Sequence, residues 1–552
     1  MKKLSIRGIV SSLILVCSMI WTVGNVLAAD WPCWRGANRN GLSSETGLLR
    51  NWTEESQPTL VWKNTTVGQT MNGMAVLGNL IYTIGSKGGA ECVICIDNQS
   101  GKTLWTRPIG KAFGGKGKFP LQRSTPTLYK DLLYVVNSAG NLVCMNAGDG
   151  AQHWVRNMVT TMGGVLPACG YCESPYVDGK WVIVCPGGPN ASMIAIDRHW
   201  GMNVWAARAG MTSGCSSILK ASFGREHQYV TFAGEGLLGV KVKGGEVRWR
   251  YEAPAHESGV NACPPIWFGQ TMLASSAAGT GCVWIQKDGT TFKTSEVWFR
   301  EDLKVPTGDM IKVNECVFAC NDEDGLVCFN YKTGDKVWSD KTIFAEAFEE
   351  EVDESGSKTK KAKSSRKTSS LDAVSQIDPS LLMPEPERMP ESVRINSPLL
   401  AQNEARLGAA KGPRTIKITP AAKNRKKKKA APPTAPTCMG TFAYAEGLLY
   451  LRTSMGELVL LEAIPDGCKI RGRIKLPQMK KGLAVTPVIA NGYLYLREGS
   501  TIFCFDLRDQ SRKEGTDGTG TEGSGNGEKG GKAIPGMPTA PGVKQRTAPK
   551  LG

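Results

Sequence analysis

The sequence predicts an all-β protein, an eight-bladed β-propeller with seven blades as the fallback count, and three observations predict it. Strand-like runs close on Trp62, Trp105, Trp154, Trp205, Trp249, Trp298 and Trp338, in steps of roughly 40–50 residues, the period of radially repeated four-stranded units. Most of these endings place a Gly four residues before the Trp, as in Ser100-Gly101-Lys102-Thr103-Leu104-Trp105 and Thr333-Gly334-Asp335-Lys336-Val337-Trp338. The last unit then stops short, at Thr501-Ile502-Phe503-Cys504-Phe505-Asp506 with no closing Trp, while Leu60-Val61-Trp62-Lys63 stands alone at the other end of the chain. Joining the two would remove two open sheet edges.

In chain order, Lys2, Lys3 and Arg7 precede an apolar stretch and Val26-Leu27-Ala28, so 1–29 reads as an export signal. Val16 before Cys17 argues against lipid attachment, since that site wants a small residue. Residues 30–57 hold Trp31-Pro32-Cys33-Trp34-Arg35-Gly36-Ala37-Asn38-Arg39-Asn40-Gly41. Two Trp and two Arg so close together are expected to pack on the face or rim of the propeller. Residues 58–342 carry the closing strand and six units, which begin near Met74, Arg123, Cys172, Ser216, Ala262 and Thr307. Short runs such as Leu132-Leu133-Tyr134-Val135-Val136, broken by Gly, Asn and Asp, are strands and tight turns rather than helices. Residues 343–436 interrupt the repeat with an acidic block, a basic block and Pro-spaced sequence, a composition that predicts disorder. Units seven and eight occupy 437–509, and a Gly/Ser/Pro-rich tail, predicted to be disordered, fills 510–552.

The chain has a formal net charge of +17, of which 1–29 contribute +3, the insert +6 and the tail +3. The excess therefore sits outside the repeats, and no nucleic-acid partner is expected. No segment after the signal is long enough to span a bilayer. The four His are isolated and none has a second His at metal-ligand spacing, so no metal is expected. Cys95, Cys144, Cys328 and Cys504 take equivalent places in their units and read as free core thiols. Cys169-Gly170-Tyr171-Cys172 is different, because its Gly permits a turn, and a local disulfide between Cys169 and Cys172 is one expectation. The seven Trp are expected to be packing anchors.

The Asp97, Gly101, Trp105 spacing and the 31–41 motif resemble the PQQ-like (pyrroloquinoline quinone) repeat propellers, the second in the form found in exported propellers of planctomycete-type bacteria. That resemblance implies an exported protein, periplasmic or secreted, and leaves two functions open. The family includes an assembly factor for outer-membrane proteins, which implies a non-catalytic scaffold with an envelope or secreted protein partner and no cofactor. It also includes quinone-dependent alcohol dehydrogenases, which hold quinone and calcium in the central channel and press two adjacent cysteines on the quinone. No Cys-Cys dipeptide exists in this chain, so no catalytic residue carries over. Were a channel site present, Arg123, Glu173, Asn261 and Asp309 are its candidates, against turn or strand-end roles for each.

Overall fold

The computed structural model describes residues 30–112, 123–344, 438–464, 467–475 and 485–509. The expected signal, the tail and all but the first residues of the charged insert lie outside them. Eight four-stranded antiparallel sheets appear, seven of them contiguous in sequence at 75–111, 127–157, 176–207, 219–251, 266–300, 311–340 and 440–474. The eighth is composite. Its first three strands come from 488–506, and its outermost is Thr59–Asn64, paired with Thr501–Asp506 through Leu60↔Phe505 and Trp62↔Cys504. Eight blades, not seven, close the ring. No helix among the described residues is long and apolar enough to cross a membrane.

Within a blade the first strand is short and faces the axis. Ala75–Leu77 touches Thr127–Tyr129, which touches Tyr176–Asp178, and Gly440–Ala445 touches Val488–Ala490. The fourth strand lies outermost and alternates with solvent, as Lys336–Asp340 does. The two middle strands are buried on both faces. Their core is shared between blades: Tyr82, Ile84, Val93 and Cys95 of the first pack against Leu133, Val135 and Val143 of the second. Tyr82↔Cys95, Tyr134↔Cys144, Phe318↔Cys328 and Tyr495↔Cys504 are cross-strand partners, and all four thiols are fully buried and unbonded to one another. A small apolar side chain beside a large ring is what the closely packed layer admits there.

The Trp of one blade serves the next. Trp62 Nε1 donates to Asn98 O at 2.7 Å, Trp105 to Gly148 O at 2.9 Å, Trp154 to Arg198 O at 3.1 Å and Trp298 to Tyr331 O at 3.2 Å. Each ring lies over the turn Gly of the following blade, Trp62 on Gly101, Trp105 on Gly150, Trp154 on Gly201, Trp205 on Gly245 and Trp298 on Gly334. Trp249 departs from the pattern by bonding Gln228 of its own blade at 2.6 Å. The Gly–Trp spacing read from the sequence as one motif is therefore two half-contacts of two different interfaces.

Gly101 illustrates the demand. Its φ is +68°, where L side chains are rare, and a Cβ there would sit 2.5 Å from the Trp62 ring. Gly101→Ala is expected to cost about 3 kcal/mol, roughly 1 for the left-handed backbone and the remainder for the collision. Gly78, with φ +54° and nothing near its Cβ position, is the control. Gly78→Ala should cost only about 1 kcal/mol by urea denaturation, and equal losses at the two positions would mean that Trp62 does not press on Gly101.

Candidate functional site at the propeller axis

Residues 31–45 run across the axis and bind the inner strands of seven blades. Trp31 pairs with Val76 of the first blade, and Leu128 of the second donates to Pro32 O. Tyr444 of the seventh exchanges bonds with Gly41 and Ser43, and Ser43 Oγ donates to Ile489 O of the eighth at 3.0 Å. Between these anchors two arginines extend into the ring. Arg39 donates to Ser174 O at 3.0 Å, Ile218 O at 3.2 Å, Thr127 Oγ1 at 3.3 Å and Pro175 O, and its guanidinium lies 4.8 Å from the Tyr176 ring centre. Arg35 donates to Met310 O at 2.7 Å and lies 3.7 Å from Asp309. Both arginines hold positive φ, +60° and +55°, a strained conformation for residues with a Cβ that persists because the surroundings determine it. The segment is bonded to the innermost strands rather than lying on the rim.

A second ring of contacts is written in the repeat. Gly73 N donates to Thr125 Oγ1 at 3.2 Å, Thr125 N to Ser174 Oγ at 2.9 Å, and Ser174 N to Ser217 Oγ at 2.9 Å. The three hydroxyls take equivalent places, so the residues two before them, Arg123, Cys172 and Cys215, occupy equivalent places on three adjacent blades, which moves the start of the fourth unit from Ser216 to Cys215. Arg123 Nη1 approaches Cys172 Sγ at 3.9 Å and Nη2 approaches Met71 Sδ at 3.7 Å. Cys169 Sγ lies 3.2 Å from Cys215 Sγ and 4.0 Å from Cys172 Sγ. Cys169 and Cys172, the expected local pair, are both free thiols here and belong to a group of three. The two thiols and Arg123 stabilise a thiolate at Cys172 and hold its ionisation well below that of an ordinary thiol, while Cys169 is pushed up to about 12 and Cys215 well upward by sharing their protons with it.

The other candidates take separate places. Glu173 is fully buried, accepts Cys185 N at 2.6 Å through Oε1, and leaves Oε2 without a partner; burial pushes its carboxyl up to about 7. Asn261 ties a loop, donating to Ala233 O at 2.7 Å and Gly234 O at 3.0 Å while accepting His256 N, and its carbonyl receives Cys215 N at 3.2 Å. Asp309 faces Arg35 and accepts Thr486 Oγ1 at 2.9 Å. Arg123, Glu173 and Asn261 thus gather around the thiols, and Asp309 belongs to the axial segment. Cys215, Arg35 and Arg39 were missed as site residues. Cys215 stands 46 residues beyond Cys169, too far for a spacing motif, yet aligning Cys172-Glu173-Ser174-Pro175 with Cys215-Ser216-Ser217-Ile218 would have found it.

Solved structures share this architecture at low identity. A quinohemoprotein alcohol dehydrogenase from Comamonas testosteroni is 11% identical with a TM-score of 0.53, covering 90% of this chain and 82% of that one. One from Pseudomonas putida is 9% identical with a TM-score of 0.50, covering 91% and 82%. BamB from Moraxella catarrhalis is 12% identical with a TM-score of 0.45, covering 81% and 99%. No curated protein matches the chain in sequence. Residues 46–170 and 89–340 match the family model described as outer membrane protein assembly factor BamB, and with more than half its length so matched the chain belongs to that PQQ-repeat family.

Proposed function

We propose that this protein is a non-catalytic binding scaffold of the cell envelope, exported through residues 1–29 to the periplasm or beyond, where it engages an envelope or secreted protein. The observation that carries the reading is the axial segment: residues 31–45 run along the innermost strands of the ring, where a channel ligand would have to bind, and both arginines are committed to the chain's own carbonyls and to Asp309. What remains for recognition is the outside of the disc. Trp200, at the turn before the last strand of the third blade, is 74% exposed, with Met202 and Val204 beside it. A Trp left in water next to other apolar side chains is the composition of a protein-contact centre. The charge-blocked insert 343–436 has the makeup of a segment that orders on a partner. A scaffold also accords with a family described as an assembly factor.

The second reading, a dehydrogenase using pyrroloquinoline quinone and calcium, meets a donor set that does not fit it. Calcium takes six to eight oxygens, whereas Glu173 Oε1, the Asn261 side-chain oxygen and both Asp309 oxygens are turned to Cys185 N, His256 N, Arg35 and Thr486, leaving of these three side chains only Glu173 Oε2 unpaired. Among the described residues, the group of three or more His, Cys, Asp or Glu within reach of one ion is made of sulfur.

In-cell crosslinking from Trp200 and from the insert, compared with a chain lacking 343–436, separates the two readings. A reproducible protein partner, weakened by Trp200→Ser or lost with the insert, is the expected result. Calcium- and quinone-dependent dye reduction abolished by Glu173→Gln, with no partner recovered, would overturn it.

A further inference from the structure

We propose that Cys169, Cys172 and Cys215 form a binding site for a thiophilic divalent ion of the zinc class, held by three sulfurs on the segments that lead into the third and fourth blades. The three sulfurs all lie within 4.8 Å of one another. Zinc–sulfur bonds of about 2.3 Å require sulfur–sulfur edges of roughly 3.8–4.0 Å in tetrahedral or trigonal sets. The Cys169–Cys172 edge is 4.0 Å, and the Cys169–Cys215 edge of 3.2 Å needs to open by less than 1 Å. Each sulfur that binds releases its proton to solvent, and no electron is transferred.

The fold brings these sulfurs together and holds them. Ser174 N on Ser217 Oγ locks the strand start after Cys172 to the one after Cys215. Cys215 N is fixed on Asn261 O, and Tyr171 N, between the first two cysteines, on Ser138 O. A Cys-x-x-Cys on a continuous strand would face two sides; Gly170, in a turn closed by Gly170 N on Pro167 O, turns both sulfurs the same way. Soft donors select against calcium and magnesium, which take oxygen.

Charge distinguishes between thiophilic ions. Three thiolates and a divalent cation leave one negative charge, which the Arg123 guanidinium, 3.9 Å from Cys172 Sγ, balances. A monovalent copper ion would leave one buried charge uncompensated, at a cost of several kcal/mol. Three protein ligands leave a fourth position on the ion for water or an incoming group, the open arrangement of zinc sites that bind ligands.

The test uses the full reduced chain, purified without chelator and titrated with zinc(II), cobalt(II) and, under anaerobic conditions, copper(I). The expected result is one zinc per chain, and with cobalt a thiolate-to-metal charge-transfer band and tetrahedral visible bands. Cys215→Ser should weaken zinc binding at least 100-fold, while Cys92→Ser, a change in the other Cys-x-x-Cys, leaves it unchanged. Should Cys215→Ser misfold, alkylation of the wild-type chain gives the same information: zinc must protect residues 169, 172 and 215 selectively. No zinc bound by the folded, reduced chain overturns the site. So does binding that survives Cys215→Ser, or that protects other cysteines instead. Binding of copper(I) with none of zinc(II) overturns the charge argument and the assignment with it. A Cys169–Cys215 disulfide in freshly isolated protein that binds no metal after reduction overturns it in favour of a redox pair.

Discussion

Replacing residues 58–66 with a Gly/Ser linker of equal length is expected to lower the melting temperature more than any single core substitution. The strand Thr59–Asn64 is the outermost strand of the eighth blade, hydrogen-bonded to Thr501–Asp506 near one end of the repeat array and continuous in the chain with the first blade at the other. Without it Thr501–Asp506 becomes an open edge. Trp62 no longer covers Gly101, and Asn64 Nδ2 no longer bonds Gly101 O at 2.8 Å or Thr103 Oγ1 at 3.1 Å. Loss of the Trp contact alone is worth about 3–5 kcal/mol, and the ladder and the Asn64 bonds add to it. That sum is comparable to the whole stability of a marginal domain. Because the linker keeps the reach between residues 57 and 67, the axial segment stays tethered and the loss reports on closure. Calorimetry and urea denaturation measure it, with Trp62→Ala expected to show the larger share. An exposed edge should also make the variant associate through that strand. A melting transition within about 1 kcal/mol of wild type would mean that the propeller is held closed by its remaining blade interfaces.

The architecture was legible because a repeat states the same local answer eight times. Turn glycines and β-branched runs recur along the repeat, and with Trp62 assigned to the eighth unit a Trp closes every unit but the seventh, so that unit is carried by its neighbours. Closure was legible from an absence, the missing Trp after Asp506, together with the stray strand around Trp62. The direction of the Trp was not legible. Gly101 and Trp105 stand four apart and look like partners, yet Gly101 receives Trp62 and Trp105 goes on to Gly150, a pairing that exists only after blades stack. The site was half legible for the same reason. Arg123, Glu173 and Asn261 were drawn from the starts of units, and unit starts do meet at the axis. Cys215 escaped because spacing rules search along one strand or loop, whereas radial symmetry brings together residues one repeat apart. Arg35 and Arg39 escaped because nothing in a motif says that its guanidinium groups reach into the ring instead of resting on its surface.

Arg39→Met is the second large effect, expected to cost about 3–5 kcal/mol. The substitution keeps an unbranched apolar stem and removes only the planar head. That head ties three blades at once, reaching Thr127 of the second, Ser174 and Pro175 of the third and Ile218 of the fourth. Arg39 is 8% exposed, so water does not take over its bonds without opening the axis. The carbonyls of Ser174 and Ile218 lose a charged donor; that of Pro175 still accepts Thr127 Oγ1 at 2.8 Å. Arg39→Lys should recover only a minor part, because an ammonium is one point charge and cannot span four acceptors arranged around a plane, and its stacking on Tyr176 is weaker. The strained backbone at φ +55° adds to the expectation, since the left-handed turn is maintained by the bonds the side chain makes. The order wild type, Lys, Met in urea midpoint, at constant m, is the expected outcome. Met equal to or above Lys would show that packing of the stem, and not the guanidinium, holds the segment in the ring.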